Sequence, residues 1–207
     1  NDIIKNIKSS VFTPKTKNEL QKAVNLWCSN KKKALNTYGN IKYWNVSNIT
    51  DMSYMFGNPN GSVYNTLFNE DISSWDVSNV TNMKGLFSGC LKFNQDISSW
   101  NVSNVTDMSY MFGNLLYGIG LSFNKDISSW DVSNVTNMEG MFKGCRYFNK
   151  DISSWDVSNV TNMKEMFNDC ISFNQDISSW DVSNVTNMKH MFGGLFSGCK
   201  NFNQNIS

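Results

Sequence analysis

The hydrophobic and polar positions of this chain recur with a period of about 25 residues over most of its length. Intervals of 31, 25, 30, 25 and 25 residues separate six tryptophans, which are Trp44, Trp75, Trp100, Trp130, Trp155 and Trp180. Each tryptophan precedes a nearly constant string, as in residues 75–83, and then a Met-Phe or Leu-Phe pair. A fixed period of this size is typical of stacked repeats. The sequence therefore predicts six copies of one unit, and we name each copy after its tryptophan.

Comparison of the copies with one another separates core positions from surface positions. The apolar slots of the Trp155 copy are Ile152, Trp155, Val157, Val160, Met163, Met166, Phe167, Cys170 and Phe173. All 11 methionines of the chain and 12 of its 14 phenylalanines fall in these slots. A slot that stays apolar in every copy packs against something that all copies share. The Met and Phe stripes therefore predict a hydrophobic core and not a cofactor site.

Each copy predicts one short helix or 3₁₀ turn and one short strand. The helical spacing is that of Val160, Met163, Met166, Phe167 and Cys170. Ser158 or Asn159 precedes this segment as an N-cap. Residues 173–178 have apolar ends around a polar centre and predict a strand. Because one copy cannot bury its own apolar face, we expect the copies to stack as an α/β repeat solenoid, with short parallel strands on one face and short helices or 3₁₀ turns on the other.

The N-terminal forty residues predict a cap on this stack. Thr16 is a candidate N-cap, and Glu19 completes a capping box. The apolar face that follows consists of Leu20, Ala23, Val24, Trp27 and Cys28. We predict an amphipathic helix over about residues 17–29 that covers the first copy, with a partner-docking helix as the alternative, and a solvated loop at residues 31–33. The predicted domains are 1–40, the cap, and 41–207, six copies plus a truncated seventh.

The repeat pattern, Phe-Asn-Gln-Asp-Ile-Ser-Ser-Trp-Asp-Val-Ser-Asn-Val-Thr-Asn-Met-x-x-Met-Phe-x-x-Cys, resembles a bacterial surface-protein repeat of mycoplasma-type lipoproteins, a domain of unknown function. That family is related to BspA-like leucine-rich repeats, whose Ala-Phe-x-x-Cys segment is similar to residues 141–145. The resemblance covers residues 11–207, since the lead-in segment 12–27 is also similar. It implies a leucine-rich-repeat-like fold and a surface-protein context, and it carries no catalytic residues.

Composition and charge narrow the function classes. With 207 residues, 40% hydrophobic content and a net charge of +1, the chain is that of a soluble repeat domain. A nucleic-acid ligand would require a basic stripe, and no apolar run approaches the ~20 residues of a membrane span. The single histidine, His190, occupies a variable slot that is Tyr54 or Glu165 in other copies. We therefore predict no enzymatic activity and no cofactor.

Repeated polar and sulfur-bearing columns predict structural roles. Cys90, Cys145, Cys170 and Cys199 share one apolar slot, which predicts small buried side chains; a bridge between neighbouring copies and a zinc site are the alternatives. The repeated aspartates either cap turns or bind calcium. Turn capping is favoured, because Asn45 and Asn101 replace the acid in two copies and keep the acceptor. The constant asparagine column predicts an internal hydrogen-bond ladder.

Variable positions predict where a partner binds. One column beside the predicted strand varies, and it consists of Glu70, Gln95, Lys125, Lys150, Gln175 and Gln204. Insertions at 57–66, 113–121 and 193–198 fall at one place in the repeat and project from one edge. The second is apolar and predicts either a loop packed on its own ridge or a hydrophobic knob. The candidate partner-binding residues are Gln95, Leu115, Leu116, Tyr117, Ile119, Lys125, Lys150 and Gln175.

Together these features favour a non-enzymatic binding or adhesion module, on the cell surface or secreted, with a protein or glycan partner. The alternative is a structural component of a coat, a fibre or a virion surface, packed against neighbouring subunits through the end of the stack and the inserted loops. Neither hypothesis involves nucleic acid or a direct membrane span. Replacing residues 115–117 with Gly-Ser-Gly is expected to leave folding intact and to weaken association.

Overall fold

The computed structural model describes residues 11–57, 66–113, 120–194 and 198–204. Two helices come first, α1 at Lys17–Ser29 and α2 at Lys31–Tyr38, and a 3₁₀ turn follows at Ile41–Tyr43. Beyond Tyr43 the described residues form turns and irregular segments without a helix or a strand. Isolated parallel β-bridges join successive copies, and they pair Asp51 with Asn82, Asn82 with Asp107, Asp107 with Asn137, Asn137 with Asn162, and Asn162 with Asn187.

Helix α1 has the predicted bounds and the predicted cap. Thr16 accepts a hydrogen bond from the N–H of Glu19 at 3.2 Å, while the Glu19 carboxylate accepts from the N–H of Lys15 at 2.8 Å. That second bond reaches one residue further back than in a standard capping box. The buried face of α1 consists of Leu20, Ala23, Val24 and Trp27. On the Trp44 copy, Gln21 Nε2 donates to the carbonyl oxygen of Met55 at 2.8 Å, so α1 covers that copy as predicted.

The solvated loop predicted at residues 31–33 is wrong, because these lysines form the first turn of α2. The Asn30 side chain caps this helix by accepting from the N–H of Lys33 at 3.0 Å. Ala34 is fully buried, and Gly39, with φ of 73°, ends the helix. The lysines stay in solvent on the outer face, so their charge is compatible with a helix whose inner face is anchored by one small residue.

The core is one continuous cluster that runs from α1 to the Trp180 copy. Its phenylalanine rings stack in columns, and the centroids of Phe142 and Phe167 in successive copies are 5.7 Å apart. Within a copy the two phenylalanines are closer, as for Phe167 and Phe173 at 4.0 Å. All nine predicted apolar slots of the Trp155 copy are buried. The core assignment made from the sequence is therefore confirmed.

The short helix or 3₁₀ turn predicted in each copy is wrong as a helical element. Only isolated turns form, such as that closed by the bond from Met166 N–H to the carbonyl oxygen of Met163 at 3.2 Å, because one slot in the middle of the segment has a left-handed backbone. The residues in this slot are Tyr54, Gly85, Tyr110, Gly140, Glu165 and His190, with φ between 54° and 59°. A right-handed helix cannot continue through such a residue. Alternate backbone N–H groups donate to the next copy instead, as Met163 does to the carbonyl oxygen of Asn187 at 2.8 Å and Glu165 does to that of Lys189 at 3.0 Å.

The strand predicted at residues 173–178 is also wrong. At this segment the N–H of Asn174 donates to the side-chain oxygen of Asn149 at 2.9 Å, so a side chain occupies the place that a backbone carbonyl has in a sheet ladder. The predicted α/β repeat solenoid with parallel strands, and the leucine-rich-repeat-like fold with it, is therefore overturned. The described chain is a stack of turn-rich copies held by single bridges, side-chain ladders and a common core.

Candidate functional site

The repeated aspartates of the polar face cap turns, as predicted. Asp126 Oδ1 accepts from the N–H of Ser128 at 3.0 Å, two residues further on. This backbone bond is the main reason that the pKa of Asp126 lies below its usual value. Hydrogen bonding from Lys42, followed by bonds from Ser73, lowers the pKa of Asp71 to about 2. Among the described residues no group of three or more acids, histidines or cysteines is arranged to hold a metal.

The constant asparagines form a hydrogen-bond ladder between copies. Asn124 N–H donates to Asn94 Oδ1 at 2.9 Å, and Asn149 N–H donates to Asn124 Oδ1 at 3.1 Å. The predicted structural role of this column is confirmed. The ladder is not internal, however, because Asn149 is exposed and Asn124 is half-buried. It therefore lies directly beside the variable column.

Two of the predicted binding residues are bonded into this ladder. Gln95 Nε2 donates to the carbonyl oxygen and to Oδ1 of Asn69, at 2.9 and 3.1 Å. Gln175 Nε2 makes the same pair of bonds to Asn149, at 3.2 and 2.8 Å. Each glutamine side chain thus joins its own copy to the preceding copy by hydrogen bonds. Their amide donors are engaged by the protein itself.

The other two, Lys125 and Lys150, lie together in an open groove of about 570 Å³. The groove is lined by Asp96, Ser98, Asn124, Lys125, Asp126, Ser128, Ser129 and Lys150. Within the described part of the chain no hydrogen bond or ion pair of 4.0 Å or less engages either ammonium group. A backbone bond from Ser98 is the main cause of the lowered pKa of Asp96, and the charge of Lys125 contributes less. Two adjacent copies therefore combine ammonium, carboxylate and hydroxyl groups in one groove.

Sequence reasoning missed a second polar cluster, which lies around the slot with the left-handed backbone. Glu139 accepts from Tyr110 Oη at 3.0 Å and from Lys164 Nζ at 2.8 Å. Lys143 and Glu165 form a 2.5 Å ion pair, and their side chains are 10% and 18% exposed. Part of this cluster had a sequence signal, because Lys143 and Glu165 occupy slots that are uncharged in the other copies. The slot of Glu139 and Lys164 gave no such signal, since it is also charged at Lys84 and Lys189. Because these groups bond to one another, the cluster joins copies and leaves little for a ligand.

A family described as "Mycoplasma protein of unknown function, DUF285" matches residues 23–117 and again residues 114–207. The chain belongs to this family. No curated protein and no solved structure matches it. Neither described helix of this DUF285 chain has the length and the apolar character of a membrane span.

The remaining predicted residues of this DUF285 chain fall in two groups. Residues 115, 116, 117 and 119, which are Leu, Leu, Tyr and Ile, lie outside the described residues. The five cysteines are free, and three of them, Cys90, Cys145 and Cys170, are buried as predicted. Cys199, which was predicted to be buried in the same slot, is half-buried. Cys170 Sγ donates to the carbonyl oxygen of Phe142 at 2.8 Å, and burial raises the pKa of its thiol. These thiols therefore act as core side chains that also join neighbouring copies.

Proposed function

We propose that this DUF285 chain is a non-enzymatic binding module of a cell-surface or secreted protein, and that the groove of Lys125 and Lys150 binds a glycan. One observation carries the proposal. Where other copies have a glutamine bonded to the asparagine ladder, these two copies have ammonium groups without such a bond in the described chain. Burying or bonding a polar group within the protein removes it from recognition, so the lysines are the donors of this column that a ligand can use.

The lining of the groove favours a glycan over a protein. Every lining residue is polar, and none is aromatic or aliphatic. Protein interfaces draw most of their binding energy from buried aromatic and arginine side chains, which this groove lacks. Ammonium, carboxylate and hydroxyl groups at adjacent copies instead match the closely spaced hydroxyl and carboxylate groups of a polysaccharide chain.

The test is a glycan-array screen of the full chain, followed by calorimetry on the best acidic and neutral polysaccharides. We expect the double variant Lys125→Ala/Lys150→Ala to bind the selected glycan at least about tenfold more weakly, since a hydrogen bond to a charged group contributes about 1.5–3 kcal/mol. Its melting temperature should stay unchanged, because neither ammonium group is bonded to a described residue.

The matched control is Lys92→Ala, which removes an exposed lysine outside the groove and should bind as the unchanged chain does. Equal binding by the double variant would place the ligand elsewhere. If no glycan binds but a protein is captured and its capture requires Lys125, the ligand of the groove is a protein and not a glycan.

The second candidate is a structural component of a larger assembly, and the exposed apolar side chains of the Trp180 copy favour it. Val182 and Met188 are 39% and 40% exposed, as expected of a surface that packs against a neighbour. Sedimentation of the chain over a range of concentrations tests this candidate. A closer relation to BspA-like repeats rests on the similarity of residues 141–145 and stays a prediction.

A further inference from the structure

The Trp180 copy carries a surface that the preceding copies bury. Val182 is 39% exposed and Met188 is 40% exposed, whereas Val157 and Met163 in the same slots of the Trp155 copy are 1% and 0% exposed. We define the terminal face as Val182, Val185, Met188, Phe192 and Phe202, of which the partly buried members also contact the core. The terminal face is thus one half of an interface that recurs along the stack.

Backbone hydrogen bonds give this interface a direction. Met163 and Phe167 donate their N–H groups to carbonyl oxygens of the following copy at 2.8 and 2.9 Å. In this part of the repeat, each copy therefore presents donors to the copy that follows it and acceptors to the copy before it. The corresponding N–H groups of Met188 and Phe192 have no backbone acceptor among the described residues. The terminal face combines exposed apolar side chains with a row of donors.

This direction decides which partner fits. Two terminal faces brought together would set donors against donors at this row, which leaves them unsatisfied. The opposite end of a second chain presents acceptors, but α1 covers them, because Gln21 Nε2 already donates to the carbonyl oxygen of Met55 and Lys17 pairs with Asp51 at 3.0 Å. We propose that the terminal face binds a further copy of the same repeat that no helical cap covers.

The side-chain ladders make this recognition specific for the repeat. Trp180 Nε1 donates to the carbonyl oxygen of Ile152 at 3.1 Å, and Cys199 Sγ donates to that of Phe167 at 2.8 Å. In the same register, the incoming copy places its indole N–H on the carbonyl oxygen of Ile177 and its thiol on that of Phe192. The carbonyl oxygens of Ile177 and Phe192 already accept from the N–H groups of Trp180 and Cys199, at 3.1 and 3.2 Å. An unrelated apolar surface would cover the side chains of the terminal face but would not supply the second hydrogen bond that each carbonyl receives inside the stack.

The experiment extends the chain after Ser207 with a further copy that has the sequence of residues 154–178. The matched control carries the same residues in scrambled order. The readout is oxidation of Met188 by hydrogen peroxide, followed by peptide mass spectrometry, with fully buried Met163 as the internal reference. We expect Met188 to be oxidised rapidly in the original and scrambled chains and as slowly as Met163 in the ordered extension. A higher melting temperature should accompany this protection.

A third variant, Val182→Asp in the ordered extension, places a charge on the terminal face and is expected to restore rapid oxidation of Met188. Equal oxidation in the ordered and scrambled extensions would overturn the proposal. So would a dimer of the original chain in which Met188 is already protected, because the occupant would then be a second terminal face. Neither outcome depends on glycan binding at Lys125, so the two proposals fail separately.

Discussion

At the scale of single residues, the tryptophans join neighbouring copies through both the ring and the indole nitrogen. Trp155 is 3% exposed, and its Nε1 donates to the carbonyl oxygen of Ile127 at 3.1 Å. Truncation leaves a cavity and removes one of the two hydrogen bonds that this carbonyl accepts, the other coming from the N–H of Trp130 at 3.1 Å. We expect Trp155→Ala to lower the free energy of unfolding by about 3–5 kcal/mol in urea denaturation. Tyr147→Ala, at a 61% exposed ring, should change it by less than about 0.5 kcal/mol; equal losses would reverse the assignment of inside and outside.

In the first four copies the left-handed slot alternates between a tyrosine and a glycine. Gly140 has φ of 59°, and a Cβ atom there would lie 2.4 Å from Cε1 of Tyr110 in the preceding copy. Gly89 has φ of 78°, but a Cβ atom added there would meet no atom within 4 Å. We expect Gly89→Ala to cost only the left-handed penalty of about 1–2 kcal/mol, and Gly140→Ala to cost clearly more.

The control for this comparison is a double-mutant cycle with Tyr110→Ala. Removing the ring should return the cost of Gly140→Ala to that of Gly89→Ala, because only the backbone penalty then remains. Thermal unfolding of the four variants gives the coupling energy. Additive costs would show that the ring does not fix the glycine.

At the scale of elements, the asparagine ladder takes the place of a strand. Asn149 Oδ1 accepts from the N–H of Asn174 and from Gln175 Nε2, at 2.9 and 2.8 Å. We expect Asn149→Ala to lower the free energy of unfolding by about 1 kcal/mol, since water can replace part of these exposed bonds. Asn149→Asp keeps an acceptor and should lose less. Urea denaturation with an unchanged slope measures both changes, and equal losses would show that the side-chain acceptor is not the source of the lost stability.

At the scale of the whole molecule, the turn-capping aspartates make the stability of the fold depend on pH. The pKa values of eight of them are lowered from 3.8, and these residues are Asp71, Asp76, Asp96, Asp126, Asp151, Asp156, Asp176 and Asp181. The charges of neighbouring aspartates raise the pKa of Asp151, but the bonds from Ser153 outweigh them. Capping therefore exceeds the repulsion along the column.

A lowered folded-state pKa means that the unfolded chain takes up protons first as the pH falls. The stabilisation is complete above about pH 5 and is lost progressively between about pH 4 and 2. We expect the melting temperature to be constant from about pH 7 to 5 and to fall steeply below about pH 4. Asp156→Asn keeps the acceptor without the proton, as Asn45 and Asn101 do at the same slot, and should reduce the fall. A melting temperature that rises in acid would contradict turn capping by carboxylates.

The sequence by itself determined the repeat, its core slots, the cap helix α1 and the turn-capping acids. These features depend on composition at fixed positions, because a slot that is apolar in every copy is buried wherever a neighbouring copy covers it, as in the Trp155 copy. The oxygen of an aspartate likewise bonds to an N–H only two residues away, as Asp126 does to Ser128. Such local or averaged properties can be read without knowing where the neighbouring copy lies.

Only the tertiary structure decided the backbone conformation and the state of the candidate site. The spacing of Met163, Met166 and Phe167 predicts a helix equally well whether or not Glu165 is left-handed. The left-handed conformation of Glu165 accompanies backbone N–H groups that donate to the next copy. The sequence likewise placed Gln175 and Lys150 in one variable column. In the structure, the Gln175 side chain is hydrogen-bonded to the asparagine of the preceding copy, whereas Lys150 lines the groove. A hydrogen bond between copies depends on their separation and register, which no single copy encodes.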